Sequence, residues 1–163
     1  MRWGYLAAIT LTMVVAGCGA TDTMSRQERQ RATAHAVDSM LADRHYTVRV
    51  NTMHPMRGRS VSVSPDFNMR VSGDSLYCYL PYFGRAYSVP YNSREGALDF
   101  EAVVDRYTME AEKRGGMGIT FTTKSADDEL QFHLTVFDNG NTSISIVPQR
   151  RDMIRFEGEL VLP

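Results

Sequence analysis

The sequence predicts an α+β domain: one N-terminal amphipathic helix, then an antiparallel meander of roughly eight strands whose twist can curl it into a half-barrel. Three observations carry that expectation. Apolar residues recur clearly at helical spacing only in the stretch that follows Ser25. From about residue 45 onward, apolar and polar residues alternate with period two in short runs. Turn residues punctuate those runs at steady spacing, and no βαβ rhythm appears, which argues against a parallel sheet.

Ser25 followed by Glu28 is a capping-box pattern, so the helix starts there. Thr33, Ala36, Val37, Met40 and Leu41 then form one narrow apolar stripe, opposite Arg31, His35, Asp38 and Asp43. Such a helix lies on another element, most simply the sheet. Tyr46, Val48 and Val50 alternate with polar neighbours as a half-buried strand, which His54-Pro55-Met56-Arg57-Gly58 is expected to break. Val61 and Val63 mark a second short strand, stopped by Pro65-Asp66. Phe67, Met69 and Val71 alternate next, and Ser72-Gly73-Asp74 turns the chain into Leu76–Leu80, a hairpin. Residues 87–91 fit a short edge strand that Pro90 keeps short. Residues 97–113 are ambiguous. Phe100, Val103, Val104 and Tyr107 have helical spacing, whereas Tyr107, Met109 and Ala111 alternate, and a strand over about 105–113 is favoured. Arg114-Gly115-Gly116 then turns into Ile119–Thr123. Leu130, Phe132, Leu134 and Val136 alternate, Asp138-Asn139-Gly140 is a hairpin signal, and Ser143–Val147 returns. A last strand runs from Ile154 and Phe156 to Leu162.

The N-terminus carries an address. Arg2 precedes an apolar stretch from Trp3, which closes on Val15-Ala16-Gly17-Cys18. A basic start, an apolar centre and small residues at a cut site make a secretory signal. The Cys directly after Gly17 resembles the lipobox of bacterial lipoproteins, in which the thiol is acylated before cleavage. At about 15 apolar residues the stretch is shorter than the roughly 20 that span a bilayer. The expected organisation is a signal peptide over 1–17, a lipidated Cys18 with a tether over 18–24, and a single domain over 25–163. Acyl chains on Cys18 would hold the protein at the membrane of the cell envelope. Gly19, rather than Asp, favours delivery to the outer membrane, and the face it occupies is left open.

Composition narrows the function classes. Hydrophobic content of 43% and charged content of 23% are globular values, so the domain builds a full core. Net charge is −1, and no basic run is longer than Arg150-Arg151, which argues against nucleic acid as a partner. With Cys18 given to lipid, Cys78 has no disulfide partner. It shares a strand face with Leu76 and Leu80 and is expected to pack as a small hydrophobe. The histidines at 35, 45, 54 and 133 form no ligand motif, so neither a metal nor a cofactor is expected. His133 shares a face with Gln131 and Thr135 and is expected to be exposed or in a groove. No nucleophile elbow or Ser-x-x-Lys occurs. Asp127-Asp128-Glu129 lacks the spacing of a calcium loop and reads as a solvated turn.

One segment stands apart. Five of the eight tyrosines lie between 77 and 91, around Leu80-Pro81-Tyr82-Phe83-Gly84-Arg85-Ala86-Tyr87. Tyrosine offers a flat apolar face and a hydroxyl, suited to stacking on sugars or gripping a peptide. Arg85 beside them suits a carboxylate or phosphate. Tyr82, Phe83, Arg85 and Tyr87 are therefore the candidate ligand-binding residues. The competing reading is an aromatic corner that seals one end of the sheet.

Leu80–Ala86, Leu98-Asp99-Phe100, Val136-Phe137-Asp138-Asn139-Gly140 and the ending Ile154-Arg155-Phe156-Glu157-Gly158 together resemble domain of unknown function 4251, a family of exported lipoproteins of Gram-negative anaerobes. The resemblance covers roughly residues 45–160. It implies an exported lipoprotein with a helix and a mostly antiparallel sheet, and it implies no activity. Asp22-Thr23-Met24, Asp38-Ser39-Met40 and Asp74-Ser75-Leu76 resemble the O-glycosylation acceptors of such bacteria. The functional expectation is a membrane-anchored envelope lipoprotein with a non-catalytic role, binding a glycan, peptide or partner protein. The alternatives are a hydrolase whose site is assembled from distant residues and a structural accessory subunit of an outer-membrane assembly.

Overall fold

In a computed structural model, which describes residues 25–82, 97–113, 115–125 and 128–163, the sheet closes on itself. The elements are α1 (Arg26–Ala42), β1 (His45–Pro55), β2 (Val61–Ser62), β3 (Asn68–Ser72), β4 (Ser75–Pro81), β5 (Ala97–Ala111), β6 (Met117–Lys124), β7 (Glu129–Val136), β8 (Asn141–Pro148) and β9 (Ile154–Leu160). From β3 onward each strand pairs antiparallel with the next, and β3 and β9 both pair with β1. The expected half-barrel is thus a closed barrel with β2 as a short flap on β1, and the domain is mostly β, with one helix.

Ser25 caps α1 as the sequence indicates. Its hydroxyl accepts from Glu28 N–H (3.2 Å), and the Glu28 carboxylate accepts from Ser25 N–H (2.7 Å). These reciprocal bonds satisfy donors that the first turn leaves open and hold the Glu28 pKa below the usual carboxylate range. Val37 and Leu41 bury against the core beside β1.

Alternation decides which side chains fill the bore. Leu130, Phe132, Leu134 and Val136 on β7 are all buried, as are Ile144 and Ile146 on β8 and Ile154, Phe156 and Leu160 on β9. Cys78 is 3% exposed, and burial pushes its thiol pKa far above the ordinary range, so the small-hydrophobe reading holds.

Several boundaries differ from expectation. β1 continues through His54 to Pro55, because β9 pairs along it from Val48 to Pro55. A bulge between Val50 and Thr52 absorbs a register shift there. Gly158 lies against Arg49 so closely that a Cβ would collide with the Arg49 carbonyl. β5 is one strand from Ala97, not from 105. Arg106 adopts φ 51° in a bulge that places two residues of β5 opposite one of β6. That bulge shifts the inward row from Val104 to Tyr107 and produced the helix-like spacing. Val103, which a helix would have buried, is 71% exposed. The last strand ends at Leu160 rather than Leu162. The expected edge strand over 87–91 lies outside the described residues.

Candidate functional site

Among the described residues, aromatic rings stack through the centre of the barrel. Phe121 and Phe132 stack at 4.9 Å between ring centroids, and Tyr107 continues the stack on Phe121 at 6.0 Å. A barrel of this strand number is just wide enough for side chains to fill, and here they do. The hydroxyls of Tyr107 and its neighbour Tyr46 are buried without a hydrogen bond of acceptable geometry. Burial foremost, and then Tyr107, push the Tyr46 pKa well above its ordinary value; burial also raises Tyr107, against the opposing pull of Tyr46 and Arg44. Arg44 closes over the Tyr107 ring at 4.3 Å and pairs with Asp74 at 3.3 Å. Arg44 holds φ 52°, and its carbonyl accepts from Gly73 N–H, so the α1–β1 turn is tied to the β3–β4 turn.

Outside the barrel, a groove of about 440 Å³ runs between α1 and the rows of β1, β3 and β4. Met40, Thr47, Arg70, Tyr77 and Val161 are among its walls. Arg70 lies over the Tyr77 ring at 4.2 Å, a cation–π pair on the outward face of adjacent strands. The groove therefore offers an aromatic face, a guanidinium and apolar walls together.

Of the residues expected to bind ligand, Tyr82 is 7% exposed. Its hydroxyl donates to the Asp152 carbonyl (2.8 Å), and Arg151 lies 5.5 Å from its ring centroid. It ties the end of β4 to the β8–β9 connection. Phe83, Arg85 and Tyr87 lie outside the described residues, as does the lipidation candidate Cys18. Asp128 corrects the sequence reading of a solvated turn. It is 8% exposed, and its carboxylate accepts from Gln149 N–H (3.1 Å) and Arg150 N–H (3.1 and 3.2 Å to its two oxygens). It staples the β6–β7 turn to the β8–β9 connection.

His133 is exposed, with its Nδ1 3.2 Å from Thr120 Oγ1. The histidine that does meet a serine and a carboxylate is His54. Its Nδ1 lies 2.7 Å from Ser60 Oγ, and its Nε2 lies 3.3 Å from Glu157 Oε1. The second contact is within ion-pair distance but off the line of a hydrogen bond. The β1–β2 hairpin brings Ser60 to His54, and barrel closure brings Glu157 diagonally across from it. Neither relation has a sequence signature, because one depends on a two-residue strand and the other on pairing between opposite ends of the domain. Tyr77 was legible in principle, since strand alternation turns it away from Leu76 and Cys78. Among the described residues, no group of three or more His, Cys, Asp or Glu is placed to hold a metal, and no helix is long and apolar enough to cross a membrane.

The fold and its surfaces define a closed, filled antiparallel β-barrel with one packed helix and an outer groove. The chain belongs to the DUF4251 family: the profile of this domain of unknown function matches residues 28–160. A crystal structure of a DUF4251 family protein from Bacteroides eggerthii DSM 20697 has a TM-score of 0.60 at 16% identity, covering 82% of this chain and 91% of that one. At that identity the likeness concerns the fold. No curated protein matches.

Proposed function

We propose that the chain is an envelope lipoprotein, anchored through Cys18 and most simply delivered to the outer membrane, whose barrel is a non-catalytic binding module for a glycan, peptide or partner protein. The observation that supports this reading is the outer groove beside α1, with the Arg70–Tyr77 pair on its wall. Aromatic and Arg side chains at a concave surface are the groups that dominate recognition energetics. Phe83, Arg85 and Tyr87, which follow Tyr82 in the chain, are proposed as a second contact.

The test is a thermal-shift screen of the full chain in detergent against glycans, peptidoglycan fragments, short peptides and lipids. A ligand at 100 times its dissociation constant adds about 2.7 kcal/mol to the folded state, a readily visible shift. The reading expects a shift that Tyr77→Ala or Arg70→Ala removes and Tyr82→Phe retains. No shift with any class, or a shift insensitive to both groove variants, refutes the groove.

One observation favours a second reading, a hydrolase: the Ser60–His54–Glu157 row. A carboxylate at Nε2 favours the tautomer that leaves Nδ1 free to accept the Ser60 proton, the logic of an activated nucleophile. Labelling of Ser60 by a fluorophosphonate, lost in His54→Ala, would establish it; an unlabelled protein eliminates it.

A further inference from the structure

β5 outruns the strand beside it. Its ladder with β4 pairs Pro81 with Ala97 through Ser75 with Val103, and Val104 N–H donates to the Asp74 carbonyl (2.8 Å). Beyond that point it is laddered only to β6, as far as Ala111 against Met117. Among the described residues no strand lies on its other side, and all of residues 105–113 except Tyr107 are exposed. Glu112 N–H donates to the Gly116 carbonyl (3.0 Å), which turns the even-numbered backbone groups here toward β6. By the two-residue period of a strand, the N–H and C=O groups of Tyr107, Met109 and Ala111 then face the open edge. Such an edge is a template for another strand unless charge or shape blocks it.

The charges on this edge are self-complementary. In an antiparallel pairing of two copies about a two-fold axis at Met109, Tyr107 meets Ala111 of the other copy and Thr108 meets Glu110. Arg106, at the bulge, then falls opposite Glu112, the residue just past the end of β5. Opposite charges fall opposite each other, and Glu110 falls opposite a hydroxyl. The outward backbone groups of Tyr107, Met109 and Ala111 fall into mutually hydrogen-bonded pairs, so the ladder and the charges select one register. The adjacent registers of the same parity are worse. Centring on Glu110 sets Glu110 against its own copy. Centring on Thr108 sets Arg106 opposite Glu110 but pairs only residues 107–109 of the strand beyond the bulge with each other, where the axis at Met109 pairs all of 107–111.

We propose that the chain self-associates as a two-fold dimer through the β5 edge, with Met109 on the axis and one sheet continuous across two barrels. The partner is a second copy because the edge complements itself.

Sedimentation velocity of the full chain in detergent, over a concentration series, reads the association. Glu112→Arg places like charges against Arg106 and raises the dimer dissociation constant at least tenfold, while Arg106→Glu combined with Glu112→Arg restores it. In a Cys18→Ser background, Met109→Cys forms an intermolecular disulfide on mild oxidation, whereas Val103→Cys, the more exposed position on β5 but remote from its own copy in this register, does not. The Met109 change is exposed and keeps the test valid where charge variants disturb the Arg106 bulge. A monomer at all concentrations, or crosslinking of Val103→Cys as fast as Met109→Cys, overturns the proposal.

Discussion

Tyr82 offers the most direct test of how the aromatic segment begins. Its ring is buried, and its hydroxyl joins β4 to a carbonyl 70 residues away in the β8–β9 connection (2.8 Å). Tyr82→Phe removes one buried hydrogen bond and leaves the Asp152 carbonyl one donor short, a loss of about 1 kcal/mol. Tyr82→Ala also removes the ring, and large-to-small changes of aromatic residues in cores cost about 3–5 kcal/mol. For a domain of this size, 1 kcal/mol corresponds to a Tm change of roughly 3 °C. The Phe variant should therefore melt a few degrees lower, and the Ala variant by on the order of 10 °C on the same scale. Urea unfolding followed by fluorescence measures both, with an unchanged m-value showing that the same transition is compared. If Tyr82→Ala leaves the Tm within about a degree of the parent and the urea midpoint unchanged, the side chain is not a strut and the packing argument is wrong.

Three other outcomes follow from particular contacts. Asp128→Ala strips the acceptor from Gln149 and Arg150 N–H and should cost about 3 kcal/mol, whereas Asp128→Asn, which keeps an acceptor, should cost less than half as much; chemical denaturation ranks the two. Gly158→Ala drives a Cβ into the Arg49 carbonyl where β1 meets β9, and should destabilise the barrel by about 2 kcal/mol or more; an unchanged Tm would show that the closure yields freely. Tyr46 and Tyr107 have folded pKa values raised above their unfolded ones, so their contribution is fully present below pH of about 10 and is lost as pH rises toward the folded values. Stability should fall above pH of about 10, less steeply in Tyr46→Phe, and absorbance titration near 295 nm should show tyrosines that ionise only as the chain unfolds; a flat stability profile from pH about 9 to 11 contradicts the burial of both hydroxyls.

The strands were legible wherever one face is buried and the other wet. Leu130 to Val136 reads as a strand because burial alternates with exposure at each step, and the Asn139-Gly140 turn fixes the hairpin that follows. Local rules reach as far as the chain's neighbours reach. Closure lies beyond them: Val48 against Leu160 is a contact between the two ends of the domain, and no periodicity encodes it. The β5 bulge misled for a definite reason, since one extra residue at Arg106 turns a two-residue period into a spacing of three, which imitates a helix. Asp128 misled because an acidic triplet reads as solvated until its backbone partners, about twenty residues on, are known. His54, Ser60 and Glu157 carried no mark for the same reason.

Two of the proposed sites share a cause. β1 has 11 residues and β5 has 15, whereas the β3–β4 hairpin between them has strands of 5 and 7. In a closed barrel the longer strands must overhang. The β1 overhang is met by β2, and that flap carries Ser60 to His54. Among the described residues the β5 overhang has only β6 beside it, and it carries the charges of Asp105, Arg106, Glu110 and Glu112. Phe121, Phe132 and Phe156 are fully buried in the core, where close packing makes any change of volume costly. The proposed Ser60–His54–Glu157 row and the proposed β5 interface thus both lie where strand lengths disagree, whereas the groove beside α1 lies where β1, β3 and β4 pair.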